Sequence, residues 1–129
     1  MTYKPGQATQ AELEAESASV RPVYPNRVRN HPGVAKAWVR YSNSSTITIA
    51  ASYNVTSMTD NGVGDATVNF TTPMSGSSYA AVAMGGSTAN RSFTSQSFSG
   101  SAVRIQATVS NTGSLDDMGF NSVVVFGDQ

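Results

Sequence analysis

From Val103 to Val109, apolar Val103, Ile105, Ala107 and Val109 alternate with polar Arg104, Gln106 and Thr108. A period of two puts successive side chains on opposite faces of an extended strand; a helix would need a period near 3.6. The pattern returns at Ala66, Val68 and Phe70 against Thr67, Asn69 and Thr71. It recurs at Ile47, Ile49, Ala51, Tyr53 and Val55 against Thr48, Ala50, Ser52 and Asn54. Each run reads as a strand with one face in the core and one in water. Asp60-Asn61-Gly62-Val63-Gly64-Asp65 reads as the turn of a hairpin, because Asn and Gly tolerate the positive φ of tight turns. Gly85-Gly86 reads as a bend between strands, since it has neither the lysine nor the helix context of a phosphate loop.

Three segments depart from the alternation. Ala35–Tyr41, Ser78–Met84 and Phe120–Phe126 carry apolar residues on both faces. Strands of this kind need cover on both sides. In a chain of 129 residues, one domain in size, a neighbouring subunit is the expected second cover. Seven or eight strands at this spacing predict a mainly β fold, an antiparallel β-sandwich.

The chain divides near Pro32-Gly33, giving an N-terminal arm at 1–33 and a sandwich domain at 34–129. Thr9-Gln10-Ala11-Glu12 has the form of a capping box, and Ala8, Ala11, Ala15 and Ala18 follow at near-helical spacing, which predicts a short N-terminal helix. Pro22, Pro25 and Pro32 rule out continuous helix from Val20 to Pro32 and predict an extended strap. Six of the eight basic residues lie between Lys4 and Arg40.

Certain segments resemble the C-terminal tip domains of bacteriophage tail fibre proteins. They are His31-Pro32-Gly33-Val34-Ala35-Lys36-Ala37-Trp38-Val39, the run from Ser52 through Asp60-Asn61-Gly62 to Phe70, then Thr72-Pro73-Met74, Tyr79-Ala80-Ala81-Val82 and the closing Val123-Val124-Val125-Phe126-Gly127-Asp128. The Trp-containing strand and the Asp-Asn-Gly hairpin are the specific parts. The resemblance implies a virion structural protein, a homotrimer, and attachment to a glycan or protein of the host cell surface, without catalysis. The family's long shaft has no counterpart after Met1. The alternative is therefore a fibre or decoration protein docked to the phage head or tail through residues 1–33, its partners there being other virion proteins. Assembly in the bacterial cytoplasm and residence in the virion follow from either reading.

Composition narrows the chemistry. Charged residues make up 12% of the chain and the formal net charge is zero, which gives no electrostatic ground for a nucleic acid partner. No apolar run reaches the ~18 residues of a membrane-spanning helix, so membrane insertion is not expected. With no cysteine, disulfides and thiolate metal sites are excluded. His31, the single histidine, sits beside Pro32 and is read as a hydrogen-bonding or packing residue. The carboxylate clusters Asp60/Asp65 and Asp116/Asp117 are read as turn-capping rather than catalytic or Ca²⁺-binding. No enzyme, cofactor or metal is expected.

Two sets of residues are candidates for recognition. The stretch from Ser87 to Phe93 is read as a receptor-binding loop, with Thr88, Asn90, Arg91 and Phe93 as its candidate contacts; Asn111-Thr112-Gly113-Ser114 is a second loop. Leu13, Arg21, Tyr24, Arg27, Arg29 and Trp38 are candidate docking or subunit contacts. Trp38 is in phase with Lys36 and Arg40, which predicts a ring beneath two cationic stems. It is read as a buried anchor or subunit contact ahead of a carbohydrate-stacking platform.

Overall fold

The computed structural model describes Ala11, Ala15, residues 24–86 and residues 90–129. Eight strands dominate it: β1 (Ala37–Ser42), β2 (Thr48–Tyr53), β3 (Val55–Gly62), β4 (Asp65–Phe70), β5 (Ala80–Gly85), β6 (Arg91–Gln96), β7 (Ala102–Val109) and β8 (Asn121–Phe126). They form two four-stranded antiparallel sheets in the orders β2-β1-β8-β5 (sheet A) and β3-β4-β7-β6 (sheet B). The expected mainly β sandwich is the observed architecture.

Alternation explains the core. Ala37, Val39, Tyr41, Val123 and Val125 of sheet A meet Ala66, Val68, Phe70, Val103 and Ile105 of sheet B in one buried cluster, with Met74 beside it. Most of these residues come from β1 and β8 or from β4 and β7, the central strands, whose inner faces are covered along their length. Phe70, Tyr79 and Phe98 close one end, with ring centroids 5.8 and 5.1 Å apart in edge and tilted arrangements. The Tyr79 hydroxyl points at the carbonyls of Ser99 and Ala102, at 2.9 and 2.8 Å, and so ties the chain ahead of β5 to the start of β7.

The run read as a single strand over Ile47–Val55 is two strands in different sheets. Asn54 lies between them with φ +54°, in the left-handed region that Asn tolerates better than most residues. Its side chain locks the corner: Nδ2 donates to the carbonyls of Lys36 and Thr72, each at 3.0 Å, and Oδ1 accepts the Thr72 N–H at 2.6 Å. Strands that switch sheets at such a bend are how sandwiches turn corners. The Asp60–Asp65 hairpin is present, with β3 running to Gly62 and β4 starting at Asp65.

The arm departs from expectation where it is described. Pro25–Val28 is one helical turn, α1, with proline at its N-terminus, a position where the missing N–H costs nothing. Turns follow through Gly33, with the N–H groups of Asn30, His31 and Val34 donating to the carbonyls of Arg27, Val28 and His31. The extended strap predicted there is therefore a coiled stub. The predicted N-terminal helix falls outside the described residues except at Ala11 and Ala15. Residues 91–96, read partly as a loop, are strand β6. Among the described residues, no helix is long and apolar enough to cross a membrane.

Candidate functional site

The three strands with apolar residues on both faces lie side by side in sheet A, in the order β1-β8-β5. Their inward residues fill the core or pack against it, and on the outer face Trp38, Val82 and Met84 are exposed and Val124 is half-buried. Register brings Tyr53 opposite Trp38, Trp38 opposite Val124 and Val124 opposite Val82. One row of apolar side chains thus crosses all four strands on the outer face, about 14 Å from end to end at ~4.8 Å per strand. Trp38 is 40% exposed, Tyr53 48% and Val82 57%. Met84, opposite Ser122 in the next row, is 71% exposed. These apolar residues are neighbours in one strip, unlike the singly scattered apolar residues common on protein surfaces.

Trp38 is thus not a buried anchor within its own subunit. Nor does it lie beneath two cations. Lys36 is buried, and its ammonium donates to the carbonyls of Arg29 and, at 3.0 Å, His31. Its charge fastens the α1 stub to the sandwich, so Lys36 is lost to any basic surface. The Arg40 guanidinium lies over the Phe120 ring, 5.7 Å from its centroid.

At that end of the outer face a bulge between Arg40 and Tyr41 shifts the β1–β2 register and opens a hollow of about 250 Å³. Arg40, Tyr41, Ser42, Thr48, Ala50, Gly119 and Phe120 line it. Among the described residues, no carboxylate or carbonyl is bonded to the Arg40 guanidinium. A second cleft, of about 330 Å³, lies between the stub and the end of β8, bounded by Asn30, Pro32, Phe126, Gly127 and Asp128.

The outer face of sheet B has the opposite character. Asp65 is buried there and accepts from Arg104 through Nε at 2.8 Å and through Nη2, from Gln106 Nε2 at 2.6 Å and from Asn61 Nδ2 at 3.1 Å. Bonding to Arg104 is the leading cause that holds its carboxyl down at about 2, against the opposing effect of burial. Gln96 donates to Gln106, Asn61 to Thr67 at 2.9 Å, and Asn69 to Ser57 and Thr59 at 3.1 and 3.0 Å. The face is a network of amides and hydroxyls that bond largely to one another.

The carboxylates read as turn caps divide. Asp60 does cap its own turn, accepting the Gly62 N–H at 2.9 Å. Asp65 is instead the hub of the network, its two oxygens occupied by side-chain donors. Asp117 accepts the Gly64 N–H at 2.7 Å, and Asp116 pairs with Arg91 at 2.6 Å, so both tie the segment before β8 to distant parts of sheet B. His31 Nδ1 accepts the Gly33 N–H at 3.1 Å, the hydrogen-bonding role read for it. Among the described residues, no group of three or more His, Asp or Glu is placed to hold a metal ion.

The recognition candidates are scattered. Asn90 is exposed, with φ +63°. Arg91 and Phe93 belong to β6; Arg91 pairs with Asp116, and Phe93 packs against the core. Gly85 accommodates that packing: a Cβ there would lie 2.6 Å from Phe93 Cζ and 2.5 Å from the Phe120 carbonyl oxygen. Tyr24 and Arg29 are exposed on the stub and Arg27 is half-buried. Thr88, Leu13 and Arg21 lie outside the described residues. The Arg40–Phe120 hollow was missed from sequence, although the bulk of Phe120 directly before a strand was the available signal. No family model, curated protein or solved structure matches the chain.

Proposed function

We propose that this chain is a non-enzymatic bacteriophage virion protein, a tail-fibre-tip-like module that works as a homotrimer and attaches the particle to the host cell surface. The observation that carries this reading is the apolar row Tyr53–Trp38–Val124–Val82 on sheet A, exposed at Tyr53, Trp38 and Val82. An aromatic pair beside aliphatic side chains on a sheet face has the composition of an interface core. Three copies that turn these faces toward a common axis cover the apolar row and leave the polar faces of sheet B outward. The resemblance of the Trp-containing strand and the Asp-Asn-Gly hairpin to tail fibre tips supports the same reading.

Native mass by light scattering tests it. The purified protein should run as a trimer, and Trp38→Glu should yield folded monomers with an unchanged far-UV spectrum. A wild-type protein that stays monomeric at tens of micromolar would sink the trimer. Wild-type protein that fails to compete with virions for host cells would sink the attachment role.

The second reading is a head or tail decoration protein docked through residues 1–33. Lys36 favours it by fastening the α1 stub to the sandwich, so that the arm leaves a rigid base. Deleting residues 1–33 should then abolish incorporation into virions while leaving the sandwich folded.

A further inference from the structure

The geometry points to the Arg40–Phe120 hollow as a binding site for an acidic monosaccharide unit, a sugar ring bearing a carboxylate. The inference names the ligand class of the attachment reading and rests on it for biological setting, though not for its chemistry. Arg40 is a surface cation that no described carboxylate or carbonyl bonds, and its guanidinium carbon sits over the Phe120 ring, 5.7 Å from the centroid. A guanidinium carries its N–H donors in its own plane, along its edge, where a carboxylate is taken in a two-pronged pair.

The rest of the hollow is mostly apolar with a few hydroxyls at its wall, the mixture that a sugar ring presents. Ser42 and Thr48 bring hydroxyl groups to its wall, Ala50 and Gly119 leave room, and Phe120, 56% exposed, offers an apolar face. Its volume of about 250 Å³ falls just below the range of pockets for drug-sized ligands, which fits one ring rather than an extended chain. The hollow adjoins edge strand β2 at the end of the sheet away from Tyr53 and Trp38. It therefore sits at the rim of the apolar row, and covering that row need not close it. A peptide carboxylate would meet the same cation but would leave Ser42, Thr48 and the exposed Phe120 ring unused.

Saturation-transfer NMR and calorimetry on the full chain test the site, with glucuronic acid, galacturonic acid and N-acetylneuraminic acid as probes. Glucose, galactose and a glutamate-containing tripeptide serve as controls. At least one acidic sugar should bind about tenfold more tightly than the neutral sugars, and the preference should weaken with salt. Arg40→Gln should remove that preference, and Phe120→Ala should weaken binding without unfolding, because both side chains are exposed. Native mass of each variant checks that assembly is intact.

Equal binding of acidic and neutral sugars, binding unchanged in Arg40→Gln, or binding of the tripeptide alone would each overturn the site. So would failure of all three acidic sugars to bind. Should the protein compete for host cells while the sugars fail, the hollow is refuted and attachment stands. Should acidic sugars bind in an Arg40-dependent way while the protein neither trimerises nor adsorbs, the hollow stands and the fibre reading falls.

Discussion

Replacing Asp65 with asparagine removes the negative charge at the hub of sheet B and changes little in volume. In the folded protein the Arg104 guanidinium, then Gln106 and Asn61, hold the Asp65 carboxyl at about 2. An unfolded chain leaves it near 3.9. The gap, at about 1.4 kcal/mol per unit, corresponds to roughly 2.6 kcal/mol of stability at neutral pH. Arg104 is 39% exposed on its side chain, so solvent screening makes this an upper figure. The sign follows from the direction of the shift. A depressed folded value means that the stabilisation is fully present above the unfolded value and is lost as pH falls through the folded one. Urea denaturation of wild type and Asp65→Asn, repeated between pH 7 and pH 2, reads the difference. The two should differ by about 1–2 kcal/mol at pH 6–7, and the difference should shrink to a small fraction of that by pH 2. Other carboxylates titrate in both proteins and cancel in the comparison. A difference that stays constant from pH 6 to pH 2 would refute the reasoning, because the loss would then come from packing or hydrogen-bond shape and not from charge.

Gly64 has φ +63°, and a Cβ there would lie 2.5 Å from the Asp116 nitrogen and 2.7 Å from the Ala107 oxygen. Gly64→Ala should therefore lower stability by about 2–4 kcal/mol, and thermal melts would show whether Tm falls accordingly. Tyr79→Phe should cost about 1 kcal/mol by denaturant titration, since it removes the donor to the Ser99 and Ala102 carbonyls while keeping both ring contacts. Burial pushes the Tyr41 phenol up to about 12. The unfolded phenol ionises near 10, so the stability tied to its neutral form is intact below pH 10 and lost as pH rises through 12. Absorbance at about 295 nm should show tyrosine ionisation delayed above the usual range, and Tyr41→Phe should remove one tyrosine's share of the amplitude that appears only near that upper value or on unfolding.

Much of the sandwich was legible in the residues because alternation is a local property. Val68, Val103 and Ile105 declare an inner face whatever lies across from them, and the structure buries all three. The Asp60–Gly64 turn was legible for the same reason. The doubly apolar character of 35–41, 78–84 and 120–126 also announced a second surface to be covered. What failed was wherever the local signal was silent or shared. Nothing in Ser52-Tyr53-Asn54-Val55 distinguishes a straight strand from one that changes sheet, because the corner depends on Asn54 reaching the carbonyls of Lys36 and Thr72, each eighteen residues away. Ser92-Phe93-Thr94 reads equally well as a polar loop until β7 lies beside it.

The amino-acid sequence by itself determined that this chain forms antiparallel strands around one core, that it lacks thiol chemistry, and that three strands carry apolar residues on both faces. Only the tertiary structure decided that those strands are neighbours, and that Tyr53, Trp38, Val124 and Val82 align in one row. Only there do Asp65 and Arg104, thirty-nine residues apart, become a bonded ion pair, and only there does Phe120 lie under Arg40. The physical reason is that burial periodicity is written along the chain, residue by residue. Strand order and register instead arise from pairings between distant segments, and a contact surface exists only once those pairings have set its residues side by side.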